Sequence, residues 1–74
     1  MATKFQKMMN DFNGQGINIE KVSIITSDGD FLVQNVHSQI TNHSDDGGIA
    51  ISNIEGTKTL IYLFDDQITG FRLL

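Results

Sequence analysis

The sequence predicts a mainly β fold: a small, strongly bent, five-stranded antiparallel barrel preceded by one short α-helix. Helical periodicity occurs only at the start of the chain, and the rest consists of short runs rich in valine and isoleucine, separated by glycine and aspartate. No proline interrupts any of these runs. A chain of 74 residues has room for one domain, which is predicted to span residues 1–74.

The helix is predicted over about residues 3–13. Thr3 followed by Gln6 matches a capping box, and Asn13-Gly14 is typical of a left-handed helix end. A helix of about ten residues is too short to be stable alone in water, so its apolar stripe is expected to cover the protein's own core. A helix that binds a partner or a membrane surface is the alternative. The stripe consists of Phe5, Met8, Met9 and Phe12, which fall at i, i+3, i+4 and i+7.

The β region begins after Gly16. Asp28-Gly29 lies between two apolar runs and is a strong hairpin signal. The alternation of apolar residues slips at Glu20-Lys21, so the first strand is expected to begin only at Lys21. The five strands are predicted at about residues 21–27, 30–40, 48–54, 57–64 and 67–74.

The fourth predicted strand, "KTLIYLF", is apolar on both faces, because Leu60, Tyr62 and Phe64 alternate with Ile61 and Leu63. One face is expected to fill the core, and the other needs cover from the helix or from a neighbouring subunit. The chain has no cysteine and a small core, so oligomerisation is the remaining means of stabilisation. A homo-oligomer is therefore predicted. Its interface residues are predicted to be Ile61, Leu63, Phe71 and Leu73.

One helix followed by five short bent strands is similar to the architecture of the Sm and Sm-like proteins, which belong with the SH3-like small barrels. The stretch "VSIITSDGDFLVQNV" resembles the opening of that family's first motif: Val22 and Ile24 alternate, and the turn glycine Gly29 and then Phe31 follow. The resemblance implies assembly into rings through edge strands and RNA binding in the central pore. It covers most of the chain as architecture but only this stretch as motif.

Two departures from the family pattern bear on the RNA site. The family has a bend-permitting glycine where this chain has Gln34, and its Arg-Gly pair before the last strand is replaced by Leu63-Phe64 followed by two aspartates. Loss of the guanidinium removes both base stacking and phosphate pairing. What remains of the pore loop is the stretch "SQITNHSDDGG". Its candidate nucleic-acid-binding residues are Thr41, Asn42 and His43, whereas the residues from Asp45 to Gly48 are expected to form a turn.

Composition restricts the function classes further. Nine acidic residues against five basic ones give a net charge of −4, which disfavours RNA unless the basic residues share one face. No metal, cofactor or catalytic residue is predicted, because His37 and His43 match no metal spacing and no serine precedes a helix as in a nucleophile elbow. The start of the chain lacks the apolar run of a secretory signal, so a cytoplasmic location without membrane association is expected.

Two functions of different class follow. The first is a non-enzymatic Sm-like oligomeric binding module that binds RNA. The alternative is an acidic protein-interaction or assembly module on the same scaffold, without nucleic-acid binding. An open α+β sheet with the helix across one face is the alternative fold.

Overall fold

A computed structural model describes residues 2–74 and shows a mainly β fold with an N-terminal helix, which confirms the predicted class at that level. Six strands form two three-stranded antiparallel sheets, and a 3₁₀ turn at Asp65–Gln67 separates the last two strands. The elements are α1 (Lys4–Gly14), β1 (Val22–Thr26), β2 (Gly29–Val33), α2 (Val36–Gln39), β3 (Ile40–His43), β4 (Gly48–Ser52), β5 (Thr59–Phe64) and β6 (Ile68–Leu73).

The first sheet has the strand order β2-β1-β6 and the second has the order β3-β4-β5. Within residues 2–74 no strand pairing joins the two sheets, so they form neither a closed barrel nor a single open sheet. The central strands β1 and β4 are buried almost throughout. The core between the sheets consists of Phe5, Met8, Ile19, Val22, Ile24, Val33, Val36, Ile49, Ile51, Leu63 and Ile68.

Helix α1 covers this core, as its apolar stripe predicts. Phe5 is buried and meets Phe71 edge-on, with ring centroids 6.0 Å apart. Thr3 caps the helix by accepting a bond from the Gln6 backbone N–H at 3.1 Å. The Gln6 side chain does not return that bond. It donates instead to Asn10 at 2.9 Å and accepts from Asn42 at 3.0 Å, so only half of the predicted capping box forms.

The predicted second strand, residues 30–40, is divided in the structure by the short helix α2. The buried side chain of Gln39 accepts bonds from the backbone N–H groups of Gln34 and Asn35, both at 2.9 Å. It also donates to the Ser52 carbonyl at 3.1 Å, so one amide links the end of the first sheet to the end of β4. These bonds satisfy backbone groups that leave the sheet ladder at this bend.

The β1–β2 hairpin forms, but its two loop residues are Ser27 and Asp28 rather than the predicted Asp28-Gly29. Thr26 pairs with Gly29, whose φ of +134° is accessible to glycine and strained for other residues. The Thr26 hydroxyl donates to the Gly29 carbonyl at 2.8 Å and accepts from the Asp28 N–H at 3.2 Å. The turn therefore depends on a threonine side chain as well as on the glycine.

Candidate binding surface

Three aromatic rings stand in a row on the outer face of the second sheet, the face that points away from the core. The ring centroids of His43 and Tyr62 are 5.3 Å apart, and those of Tyr62 and Phe64 are 4.9 Å apart. Both pairs are tilted, as favourable aromatic pairs commonly are. Phe64 is 49% exposed, and Leu60, near the start of β5, is 63% exposed. We call His43, Leu60, Tyr62 and Phe64 the aromatic face.

The aromatic face exists because the central strand β4 presents only small residues beneath it. Gly48 lies opposite both His43 and Phe64, and Ala50 lies opposite both Thr41 and Tyr62. A Cβ atom on Gly48 would approach the Tyr62 ring to 2.7 Å, so the ring lies directly over the glycine backbone. The rings therefore rest on a floor of main chain, and helix α1, which packs on the core side, leaves them uncovered.

Four aspartates border the Phe64 end of the aromatic face. Asp46, Asp65 and Asp66 line an open depression of about 420 Å³ together with Phe64, and Asp45 lines an adjoining one of about 440 Å³. No lysine or arginine lines either depression. We call Asp45, Asp46, Asp65 and Asp66 the acidic rim.

The rim acts electrostatically on the aromatic face and on helix α1. Burial of the hydroxyl, which has no hydrogen-bond partner within residues 2–74, and, secondarily, the Asp46 carboxylate raise the pKa of Tyr62 above its usual value. Asp65 accepts a bond from the Lys4 backbone N–H at 3.1 Å, so one carboxylate of the rim caps the first turn of α1. The Asp65 N–H in turn donates to the Gly47 carbonyl at 2.8 Å, which holds the two turns of the rim together.

The three candidate nucleic-acid residues separate in the structure. His43 belongs to the aromatic face, and Thr41 is exposed on the same side of β3. Asn42 points to the opposite side, where its amide accepts a bond from the Thr3 hydroxyl at 2.7 Å and donates to the Gln6 side chain at 3.0 Å. The Asn42 amide therefore helps to hold the start of α1, and its part in nucleic-acid binding stays a prediction.

The four predicted interface residues lie mainly against the core. Leu63 is fully part of the core, and Ile61 and Phe71 pack against it. Only Leu73 is exposed, at the end of β6. The outward apolar residues of β5 have the opposite parity, namely Leu60 and Phe64. The sequence shows the alternation of this strand but does not show which of its two faces lies against the core.

The outer edge of β5 is free of strand partners within the described chain, since the strand pairs only with β4. The Phe64 N–H points to this edge, where it donates to the Gln67 side chain at 2.9 Å. Alternate residues of a regular strand direct their backbone groups to the same edge, so the N–H and C=O groups of Tyr62 also point outwards. The register with β4 shifts at Leu60, between the pairs Ile51–Ile61 and Ser52–Thr59, and Tyr62 has no strand partner on the outer side in residues 2–74.

The two histidines lie on different elements, His37 on α2 and His43 on β3. In residues 2–74 no group of three or more histidine, cysteine or acidic side chains is arranged to hold a metal ion. His37 lies on α2 and is exposed, whereas His43 is in the aromatic face. None of the helices formed by residues 2–74 has the length and apolar character needed to cross a membrane.

Comparison of the chain with protein-family models, with curated proteins and with solved structures gave no match.

Proposed function

We propose that the protein is a non-enzymatic binding module that assembles into homo-oligomers through the outer edge of β5. The observation that carries this proposal is the free edge itself. The backbone groups of Tyr62 face outwards there without a strand partner in residues 2–74, beside two exposed apolar side chains, Leu60 and Phe64. An edge strand with unpaired backbone groups and apolar flanks is a template for pairing with another strand. Pairing satisfies the backbone groups, extends the sheet and leaves its outer face open.

The proposed partner of β5 is β6 of a second copy. β6 is an edge strand of the first sheet and follows β5 after the 3₁₀ turn. The exposed residues Leu73 and Leu74 lie at its end. The Ile68 carbonyl, the first of β6, already accepts a bond from the Lys4 ammonium at 2.9 Å. The residues of β6 after Ile68 would therefore form the pairing with β5. Two different edges make a head-to-tail contact, and such contacts close into rings when the rotation between copies allows it.

The order of the elements supports an Sm-like interpretation of the fold. If β2 and β3 are counted as two halves of one strand that bends at α2, the chain has five strands, and the second contributes to both sheets. A strand that bends between two sheets in this way is also a feature of small, strongly bent barrels. The resemblance is one of architecture, and we propose that assembly is the property it carries.

RNA binding is the second candidate function, and the aromatic face is the observation that favours it, because bases stack on exposed aromatic rings. The acidic rim opposes it, since four carboxylates beside the rings repel phosphates. Titration of U-rich and A-rich oligonucleotides, followed by fluorescence anisotropy, tests this candidate. Salt-sensitive binding at micromolar protein supports it, and the absence of binding removes it.

Assembly is tested by light scattering on a sizing column with wild type, Leu60→Lys and Leu32→Lys. Leu32 is 60% exposed on the first sheet, so it matches Leu60 in exposure and differs only in location. We expect a wild-type mass of several chains, a monomer for Leu60→Lys because a lysine beside the edge opposes pairing, and no change for Leu32→Lys. A monomeric wild type at high concentration contradicts the proposal, as does equal behaviour of the two variants.

A further inference from the structure

We infer that the aromatic face and the acidic rim together form a docking surface for a lysine- or arginine-bearing segment of a partner protein. Two adjoining features at the Phe64 end of the second sheet carry this inference. The Phe64 ring is 49% exposed and contacts the half-buried Tyr62 ring, and Asp46, Asp65 and Asp66 line a depression together with Phe64. Each feature attracts cations by a different mechanism, and they lie next to each other.

The aromatic half of the surface is suited to an ammonium or guanidinium group. A cation above an aromatic ring is attracted by the negative face of the π system, most strongly within about 6 Å of the centroid. The Phe64 ring is 49% exposed, so a cation can approach it from solvent, and the Tyr62 centroid lies only 4.9 Å from that of Phe64. The rings are held in place from below by Gly48, which leaves the Tyr62 ring no room to sink into the sheet.

The acidic half makes the surface negatively charged. The two depressions are lined by the four carboxylates of the rim and by neutral residues, namely Ala2, Ser44, Gly47 and Phe64. Asp65 is engaged at the first turn of α1, whereas Asp45, Asp46 and Asp66 are exposed. These three charges are available to flanking basic residues of a bound segment.

Charge complementarity therefore decides the class of partner. Stacking alone is shared by nucleic-acid bases and by cationic side chains, but the carboxylates repel a phosphate backbone and attract lysine and arginine. A net charge of −4 for the whole chain acts in the same direction. The occupant is thus a basic protein segment, and RNA becomes an outcome of the test.

The test is a fluorescence-anisotropy titration with a short labelled peptide in which arginine alternates with serine. Peptides with lysine or glutamate in place of arginine, and a U-rich oligonucleotide, are run alongside. We expect saturable binding of the two basic peptides, weakened as the ionic strength rises from about 0.05 M to about 0.5 M, and none of the acidic peptide or the RNA. Absence of basic-peptide binding at protein concentrations up to about 1 mM overturns the inference, and so does preferential binding of RNA.

Matched variants separate the two halves of the surface. Phe64→Leu keeps an apolar side chain but removes the π face, and we expect it to weaken binding of the arginine peptide about fivefold. Asp66→Asn removes one carboxylate of the rim and is expected to weaken binding about threefold and to reduce its salt dependence. Asp30→Asn removes an exposed carboxylate from the first sheet and is expected to change neither, apart from a small uniform effect of net charge.

The outcomes are read together with circular dichroism spectra that show each variant to be folded. Equal binding by Phe64→Leu and wild type overturns the aromatic contribution, and equal effects of Asp66→Asn and Asp30→Asn overturn the rim. Binding by a monomeric protein contradicts only the assembly proposed above. An oligomer that binds no basic peptide contradicts only the present inference.

Discussion

The two sheets are alike in topology and differ in what they present to solvent. Each has a buried central strand between two edge strands, yet within residues 2–74 the outer face of the first sheet carries no aromatic ring, whereas the second carries the aromatic face. The outward residues of the first sheet are Ser23, Ile25, Asp30, Leu32, Gly70 and Arg72. The difference originates in the central strands. The outward residues of β1 are Ser23 and Ile25 and those of β4 are Gly48 and Ala50, so only β4 is small at both positions and leaves room for rings above them. Small central residues thus create a surface on which large flanking residues meet.

The largest expected effect on stability comes from adding one methyl group at Gly48, beneath the rings. In Gly48→Ala the new Cβ would lie 2.7 Å from the Leu63 carbonyl oxygen and from the Tyr62 ring. The Leu63 carbonyl belongs to the backbone, so it cannot move away without a cost in free energy. We expect the free energy of unfolding to fall by about 2–3 kcal/mol in urea denaturation.

The matched control for this substitution is Gly70→Ala on β6 of the first sheet, where the new Cβ meets only Ile25 at an ordinary 3.7 Å. We expect a change within about 0.5 kcal/mol, of either sign, since alanine also restricts the unfolded chain. Equal losses from the two substitutions would remove the contrast between the sheets.

The next effect concerns the link between the sheets. Gln39→Ala removes two bonds to backbone N–H groups and one to the Ser52 carbonyl, and leaves those groups without partners. We expect a loss of about 2 kcal/mol in the same denaturation experiment. Gln67→Ala, which removes one exposed bond to Phe64, is expected to cost less than about 1 kcal/mol. A smaller loss for Gln39→Ala than for Gln67→Ala would show that the link does not stabilise the fold.

A smaller effect on stability is expected to distinguish Asn42 from its neighbour Thr41 on β3. Asn42→Ala removes the bonds that hold Thr3 and Gln6, and we expect it to destabilise the protein by about 1 kcal/mol. Thr41→Ala, on the outer side of the strand, is expected to leave stability unchanged. If peptide or RNA binding responds to Asn42→Ala without any change in stability, the structural role assigned to Asn42 is contradicted.

The smallest effect is a pH dependence that belongs to the second sheet. The raised pKa of Tyr62 means that the folded state favours the protonated phenol. The resulting stabilisation is complete below the pKa of an unfolded tyrosine, near 10, and is lost as the pH rises through the higher folded value. Ultraviolet absorbance should show Tyr62 ionising above its usual range, and Asp46→Asn should lower its pKa. An unchanged titration in Asp46→Asn would contradict the contribution of that carboxylate.

Sequence patterns were sufficient where a structure depends on neighbours in the chain. The helix followed from the spacing of Phe5, Met8, Met9 and Phe12, and the strands of the second half from alternation and glycine. The division of residues 30–40 was not predictable, because it depends on Gln39 reaching backbone groups that only the folded chain brings near it. Likewise, nothing local to Asn42 indicates that the start of α1 lies beside it.

The candidate site was predicted only in part, for a related reason. His43 was selected from its polar stretch, but its aromatic neighbours come from β5, a strand about twenty positions further along the chain. The alternation of Tyr62 and Phe64 with Ile61 and Leu63 defines two faces without identifying the outer one. That choice depends on Gly48 and Ala50 across the ladder, and so on the strand register.

Hydrogen exchange at the β5 amides tests the central claim most directly. The Tyr62 N–H group points to the free edge, whereas the Ile61 and Leu63 N–H groups point towards β4, so adjacent residues provide probe and control. If copies assemble through this edge, protection of Tyr62 should rise with protein concentration while Ile61 and Leu63 stay protected throughout. Fast exchange of the Tyr62 amide at every concentration would contradict assembly through β5.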